Sequence, residues 1–547
     1  MFPTLSSAHP ALDRRSEKIQ RLRTEAFDLL VIGGGITGAG VAREAALRGW
    51  RVALLERGDF GGGTSSKSAR VIHGGLRYIA LRQFDVVYEA CSERHHLLET
   101  APALVRPLAH TVAVYDKTTR ALGVRAGLLL YDALGRYQNP APQRALSRER
   151  LAELEPSLAR DNLKTAIRYY EAVGDDARLT LATILAAERL RAVVVNHAPV
   201  EALLKTRGRV TGAVGREALT GQTFEVQARA VVNASGPWNP LVQKLDRPTA
   251  QSTMHPSKGI HVIVPRERLW VNDAVVFRAT DGRREMYVLP WRHTTIIGTT
   301  DSDYQGNLDE VAATGDEVRH VLASTRRTFP HARLTESDVL STYAGVRPLV
   351  EHAGLGAYKM SREHRVSLSE SGLVSITGGK LTTHRRMAHD TVLAVARQLG
   401  EDARPNSAAV RRSYRLPLEE EPAHPTEAAG LSPGDCAHLQ AAYGARWGEV
   451  AALAHGEPSL GERITPALPY LQAEIAYGIQ HEMALTLSDV MSRRMHFIHE
   501  DANQGLDQAP RVAERMAALL GWPPAETERQ LTAYAQQVAL TRRYRAE

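Results

Sequence analysis

The sequence predicts an α/β fold: a Rossmann-like dinucleotide-binding domain, a β-rich domain interleaved with it, and an α-helical C-terminal cap. Three observations point there. Near the N-terminus a strand, a glycine turn, a helix and a second strand follow within about 30 residues, as in a βαβ unit on a parallel sheet. Between 195 and 380 β-branched runs recur. Beyond 434 the apolar residues repeat with helical period.

Residues 1–25 read as a polar tail; Asp13, Arg14, Arg15, Glu17 and Lys18 leave no apolar stretch of the kind a secretory signal needs. The region 26–395 opens with a strand at Phe27–Ile32, a helix-compatible run at Ala39–Arg48 and a strand at Arg51–Glu56. Its β-branched runs are Val193–Val195, Val231–Val232, His261–Val264 and Thr294–Ile297. Prolines 405, 417, 422, 425 and 433 mark 396–433 as a linker. In 434–547, Ile475, Ile479, Met483, Leu487 and Met491 recur every four residues, one face of a helix. A second run, Val512, Met516, Leu519 and Leu520, stops at Gly521, before Pro523 and Pro524.

Composition narrows the function. The chain has 547 residues, 43% hydrophobic and 24% charged, enough for several domains. No run of about 18 apolar residues is present, so no helix is expected to span a bilayer. The most apolar window, Ala121–Gly135, is broken by Arg125 and Asp132. Two cysteines, Cys91 and Cys436, make neither a disulfide framework nor a metal cluster; no metal is expected, and a reducing cytoplasmic setting fits. The net charge of +7 suits an anionic substrate or an anionic membrane surface. No Lys/Arg-dense block suggests nucleic acid.

Gly33-Gly34-Gly35-Ile36-Thr37-Gly38 is G-x-G-x-x-G between a predicted strand and helix. Gly33 permits the tight turn, Gly35 admits a pyrophosphate, and Gly38 allows close helix–strand contact. The helix N-terminus offers unpaired N–H groups to the phosphates. Glu56 ends the second strand, placed to accept from ribose hydroxyls. Two further junctions favour FAD over NAD. Ala228–Gly236 resembles the second nucleotide-contacting strand of flavoproteins, and Leu373–Thr383 is another strand–glycine–helix junction. The latter can aim a helix N-terminus at a flavin's pyrimidine edge.

At these motifs the chain resembles the FAD-dependent glycerol-3-phosphate dehydrogenases, within the D-amino-acid-oxidase-like flavoproteins. The matching stretches, in family order, are Val31–Gly40, Thr64–Ser66, Ile72–Tyr78, Asp175–Leu179, Val232–Trp238, Ser257–His261, Gly298–Asp301, Gly345–Leu349 and Gly378–Thr383. The resemblance covers about 27–395, and Glu482 with Asp489–Arg494 resembles the family's C-terminal cap. Ala234-Ser235-Gly236 departs from the commoner Ala-Thr-Gly. Asp175, Asp176 and Arg178 read as an ion pair or helix cap. The resemblance implies a fold with a Rossmann-like FAD-binding domain.

It also implies that FAD is held by the fingerprint, Glu56, Arg57, Thr64, Ser65, Ser66, His73, Gly74, Gly75, Ala234, Ser235, Gly236, Trp238, Gly378, Gly379, Lys380, Leu381, Thr382 and Thr383. The implied reaction takes hydride from C2 of sn-glycerol 3-phosphate to flavin N5, giving dihydroxyacetone phosphate. Arg347 is the first choice for the phosphate clamp, because a guanidinium donates two parallel bonds. Arg362 and Lys380 would assist it, and Arg77 with Tyr78 would line the cleft. Lys380 has a second job open to it, stabilising the reduced flavin. His73 is the favoured proton acceptor, with His261 as the alternative. Quinone is the implied electron acceptor, with the protein peripheral to the inner face of the cell membrane; Ala121–Tyr131 is one apolar candidate for that contact, core packing the other. A homodimer is compatible with the resemblance. A peroxide-producing oxidase is an alternative, disfavoured because the oxidases' long insertion is missing. An amine oxidase would not need to hold a phosphate dianion. A non-catalytic flavin module would not need His73, Arg347 and Lys380 together.

Overall fold

The computed structural model describes residues 10–115, 118–135, 138–251, 254–282, 284–350, 363–401 and 430–547. Two sheets organise them. The first has the strand order His364–Leu368, Leu373–Gly378, Thr223–Asn233, Ala26–Ile32, Val52–Leu55 and Val193–Val195. Its last five strands run parallel, Val31 lying beside Val232 on one side and Leu54 on the other. Both faces are covered, so these strands are continuously apolar: Leu29, Leu30 and Val31 are all fully buried. Helices Ile36–Leu47, Asp176–Arg189 and His384–Leu399 cover one face through Val41, Ala42, Ile184 and Val392.

A helix at Pro10–Thr24 covers the other face, its Ile19 and Leu22 packing with Phe27, Leu30 and Val226. This segment falls in the stretch that reads as a polar tail. Its mean composition is polar, but Leu12, Arg15, Ile19 and Leu22 recur at helical spacing and are buried. Arg15 enters with its charge matched, donating to Glu217 at 2.9 Å and to the Asn196 carbonyl at 2.7 Å.

The second sheet has the order Ser302–Asp303, Met254–Pro265, Thr294–Gly298, Glu285–Trp291, Ala274–Arg278, Val105–Val114, Thr165–Gly174 and Val71–Ile72. Ser341–Val350 pairs antiparallel along nearly all of Met254–Pro265. The chain crosses between the sheets repeatedly, which makes the β-rich layer interleaved. All but the last residue of Ala121–Gly135 lies in helix Thr118–Leu134, with Leu128 and Tyr131 fully buried and Leu122, Leu129 and Leu130 exposed.

C-terminal helices include Pro433–Tyr443, Trp447–Gly456, Gln472–Glu482, Ala509–Leu520 and Pro524–Arg542. Helix Ala509–Leu520 ends at Gly521, in left-handed conformation with φ 67°. The four-residue repeat from Ile475 to Met491 is not one helix. Helix Gln472–Glu482 stops at Met483, whose φ is 55°, and a new turn begins at Leu487. Ile475, Ile479, Leu487 and Met491 are nevertheless buried in one cluster, so the periodicity reported a shared core across a break. Most of the proline-rich stretch, 402–429, lies outside the described residues.

Candidate functional site

Strand Ala26–Ile32 delivers the glycine fingerprint to the end of the parallel sheet. Gly33 has φ 109°, and a Cβ there would stand 2.7 Å from the Ala234 carbonyl oxygen. A Cβ on Gly38 would stand 1.9 Å from the Gly33 oxygen. Only glycine lets the turn, the helix and the strand ending at Asn233 meet this closely. Helix Ile36–Leu47 starts here, and its Ile36 N–H donates to Ser65 Oγ at 2.9 Å. Glu56 accepts from the Gly34 N–H at 2.6 Å and the Gly58 N–H at 2.8 Å. Burial holds its carboxyl above the ordinary range, against the pull of those two donors. A carboxylate has about four acceptor sites, so two remain for a ribose. Beside it the Arg57 guanidinium lies 4.3 Å over the Trp238 ring.

From this end a cavity of about 1290 Å³ runs into the space between the two sheets. Pockets for one drug-sized ligand measure roughly 300–1,000 Å³, so this one has room for a large cofactor and a small substrate. Gly33, Gly35, Ile36, Thr37, Glu56, Arg57, Thr64, Ser65, Gly75, Ala234, Ser235, Gly236 and Trp238 line it. So do Gly378, Gly379, Lys380, Leu381 and Thr382, from the third junction. Gly378 and Gly379 have φ near 80° and turn the strand Leu373–Gly378 toward helix His384–Leu399. Gly34, Gly38, Ser66, Gly74 and Thr383 are not part of the lining. The residues present fit FAD on this structure's own terms: a backbone cradle that a Cβ would fill, and a fully buried histidine, His261, whose two ring nitrogens have no protein partner.

His73, Arg77, Tyr78, His261, Arg347 and Lys380 also line this cavity. Arg362 lies outside the described residues. Lys380 Nζ sits 4.1 Å over the Tyr78 ring, and Arg77 lies 5.2 Å from the same ring. Arg347, on strand Ser341–Val350, donates to Asp301 at 3.2 Å, Thr299 Oγ at 3.1 Å and the Thr300 carbonyl at 3.3 Å. Its guanidinium passes over Gly259, where a Cβ would stand 2.1 Å away. Sequence reasoning named Arg347 but did not give it Asp301, which fixes the guanidinium at an angle no local spacing encodes.

His261 and His73 differ. His261 stacks on Tyr343 with ring centroids 4.7 Å apart. Burial, with Arg347 and Arg70 adding to it, pushes its imidazole down to about 3, so it is neutral and weakly basic. His73 follows strand Val71–Ile72 and meets Tyr287 edge-on at 5.6 Å. The next residue, Gly74, donates its N–H to Glu171 at 2.8 Å. Glu171 also lines the cavity, and sequence reasoning missed it.

Asp175 caps helix Asp176–Arg189, accepting from the Arg178 N–H at 3.2 Å, and also accepts from His496 at 2.6 Å. Arg178 reaches Glu482 in the C-terminal part. Among the described residues Asp59, His197 and Asp489 converge as metal ligands would. Arg493 and Arg494 occupy Asp59, and Arg493 and His197 occupy Asp489, so the charge is already balanced by protein.

Known proteins resemble this chain along nearly its whole length. Residues 28–385 match the family described as FAD dependent oxidoreductase, and 383–527 match the C-terminal domain of alpha-glycerophosphate oxidase. Glycerol-3-phosphate dehydrogenase 2 of Mycobacterium tuberculosis is 38% identical over 530 residues, covering 96% of this chain and 90% of that protein. The human mitochondrial glycerol-3-phosphate dehydrogenase is 36% identical over 544 residues, covering 95% of this chain and 74% of the relative. The solved structure of the glycerol-3-phosphate dehydrogenase from Bacillus halodurans complexed with FAD superimposes with a TM-score of 0.79 at 30% identity, covering 96% of this chain and 97% of that one. The chain belongs to the FAD-dependent oxidoreductase family and, within it, to the glycerol-3-phosphate dehydrogenases.

Proposed function

We propose that this protein oxidises sn-glycerol 3-phosphate to dihydroxyacetone phosphate and passes the electrons to a quinone at a membrane surface. The observation that carries the reading is a single cavity lined by three cations, Arg77, Arg347 and Lys380, together with His73. Arg347 presents its fork to the phosphate, and Asp301 keeps the fork oriented. His73 takes the C2 hydroxyl proton; His261, held neutral at about 3, is too weak a base for that work and serves as a hydrogen-bond partner. Bound FAD supplies the hydride acceptor. Lys380, at the third junction, stands where it can balance the charge gained on reduction.

Quinone is supported by an apolar arm of the same cavity, lined by Val112, Val276, Tyr169 and, from helix Thr118–Leu134, Gly123, Val124 and Gly127. The outer face of that helix shows Leu122, Leu129 and Leu130, and Phe84 is exposed at the start of helix Phe84–Thr100, with Leu81 exposed just before it. Among the described residues no helix is long and apolar enough to cross a membrane, so the contact proposed is peripheral. The test is anaerobic flavin reduction by glycerol 3-phosphate against glycerol, followed by reoxidation with a soluble quinone or with oxygen. Reduction by both substrates alike would overturn the phosphate reading. Stoichiometric peroxide in preference to quinol would make the protein an oxidase.

A further inference from the structure

Next to the His73 turn lies a buried polar cluster centred on Glu171. Glu171, on strand Thr165–Gly174, is 1% exposed. One carboxylate oxygen accepts the Gly74 N–H at 2.8 Å and also pairs with Arg94; the other accepts the Tyr131 hydroxyl at 2.7 Å. Arg94, fully buried, also donates to Tyr131 at 2.6 Å and to Asn139, which is anchored on Asp132 at 2.7 Å. Cys91 Sγ reaches the Gly74 carbonyl at 3.5 Å. The fit leaves no slack: a Cβ on Gly74 would stand 2.0 Å from the Tyr131 oxygen and 2.6 Å from Arg94 Nη1.

A carboxylate this deep persists as an anion only if it is matched. Burial raises its carboxyl, but Arg94 first, then His73 and His110, overcome that and hold it below the ordinary range. Field between Glu171 and His73 acts both ways. Arg77, Arg347 and Lys380 line the same cavity as His73 and carry positive charge, and Tyr287 packs on its edge.

We propose that Glu171 is a positioning residue for the reaction: its carboxylate fixes the His73–Gly74 peptide and supplies the negative charge that keeps His73 a competent base among those cations. The proposal rests on His73 being the proton acceptor. A merely structural carboxylate would support the turn without setting the basicity of the histidine.

The experiment measures the rate of anaerobic flavin reduction by glycerol 3-phosphate against pH in the FAD-loaded protein, for wild type, Glu171→Asp and Glu171→Gln. In wild type the rate rises with pH as the base loses its proton. Gln keeps the shape and an acceptor for Gly74 while removing the charge. It should move the rise to lower pH by about 1 unit and lower the plateau on the order of 3-fold or more, because a weaker base remains. Asp retains the charge but withdraws it, so its rise should fall between the other two. Coincident pH profiles for all three, with FAD content normal, overturn the proposal. If Gln does not load FAD, the comparison of Asp with wild type decides alone, and an unmoved profile overturns it. If wild type is not reduced by glycerol 3-phosphate, the functional reading fails and this inference with it; if wild type is reduced and only the profiles coincide, this inference alone fails.

Discussion

Arg178 and Glu482, 304 residues apart, form a two-bond buried ion pair at 2.8 and 2.7 Å. The arginine stands on the helix beside the parallel sheet and the glutamate at the end of helix Gln472–Glu482, so the pair bolts the nucleotide-binding part to the helical cap. Arg178→Met takes away the two-bond partner of a buried carboxylate, leaving it only Arg494 at 3.6 Å, and should cost about 3 kcal/mol, whereas Arg178→Met with Glu482→Leu should recover much of it. Urea unfolding of the three proteins measures this; additive losses would deny the coupling.

Arg347→Ala should cut kcat/KM for glycerol 3-phosphate about 30- to 1000-fold, from loss of roughly 2–4 kcal/mol of guanidinium–phosphate bonding. Residual activity on unphosphorylated glycerol should change little. Arg347→Lys should recover part, since a point charge lacks the fork. Asp301→Asn separates orientation from charge: it leaves the guanidinium in place without its ionic partner, and should weaken phosphate binding less than Arg347→Ala. Equal loss on both substrates, with FAD intact, would move Arg347 to the flavin or the chemistry.

Gly33→Ala places a Cβ at φ 109° and 2.7 Å from a backbone oxygen. Strain on the order of 1–3 kcal/mol falls on the turn that receives the pyrophosphate, so FAD affinity should drop roughly 5- to 150-fold. Titration of apoprotein with FAD, followed by flavin fluorescence, reads it. Undiminished affinity would mean the turn relaxes without harm.

Acid should destabilise the protein well above the carboxylate range. His261 and His384 are pushed down to about 3 and about 4, chiefly by burial, so both stay neutral in the folded protein while unfolded histidine takes a proton near 6.5. The unfolded state then binds more protons, and stability rises with pH through that window. Their contribution is complete above pH 6.5 and falls as pH drops toward 4, by up to about 1.4 kcal/mol per unit for each. Urea midpoints between pH 7 and 4.5 test it, and His384→Gln should flatten the slope.

Leu122 and Leu129 are 65% and 54% exposed on helix Thr118–Leu134. Leu122→Asp with Leu129→Asp should abolish co-sedimentation with anionic vesicles and slow reduction of a membrane-embedded quinone, while anaerobic flavin reduction by glycerol 3-phosphate is unchanged. Unaltered sedimentation would move the membrane contact elsewhere.

What could be read in the sequence is what the chain encodes locally. Strand, fingerprint, helix and strand from Phe27 to Glu56 are neighbours in both sequence and space, and Gly521 stops its helix by its own backbone preference. Pairing was not legible: nothing in Thr223–Asn233 says that it will lie between Ala26–Ile32 and Leu373–Gly378. Glu171 was invisible for the same reason. Its partners Gly74, Arg94 and Tyr131 come from three separate segments, and a lone glutamate in a β run carries no spacing to announce them. The helix at Pro10–Thr24 had a signal, four buried positions on one face, that its charged residues obscured.

The interleaving of the strands bears on the order in which this chain can be completed during synthesis. Ile32 pairs with Asn233, and Asn233 in turn pairs with Ser375. The fingerprint strand therefore leaves the ribosome about 340 residues before the far neighbour of its sheet, an interval of roughly 15–70 s at 5–20 residues per second. Through that interval Leu29, Leu30 and Val31 have no finished sheet to enter, and they are the kind of bare β segment that chaperones hold and that aggregates recruit. Halting translation short of Leu373 would leave a nascent chain whose nucleotide cradle lacks its third wall, however much of the fingerprint it already displays.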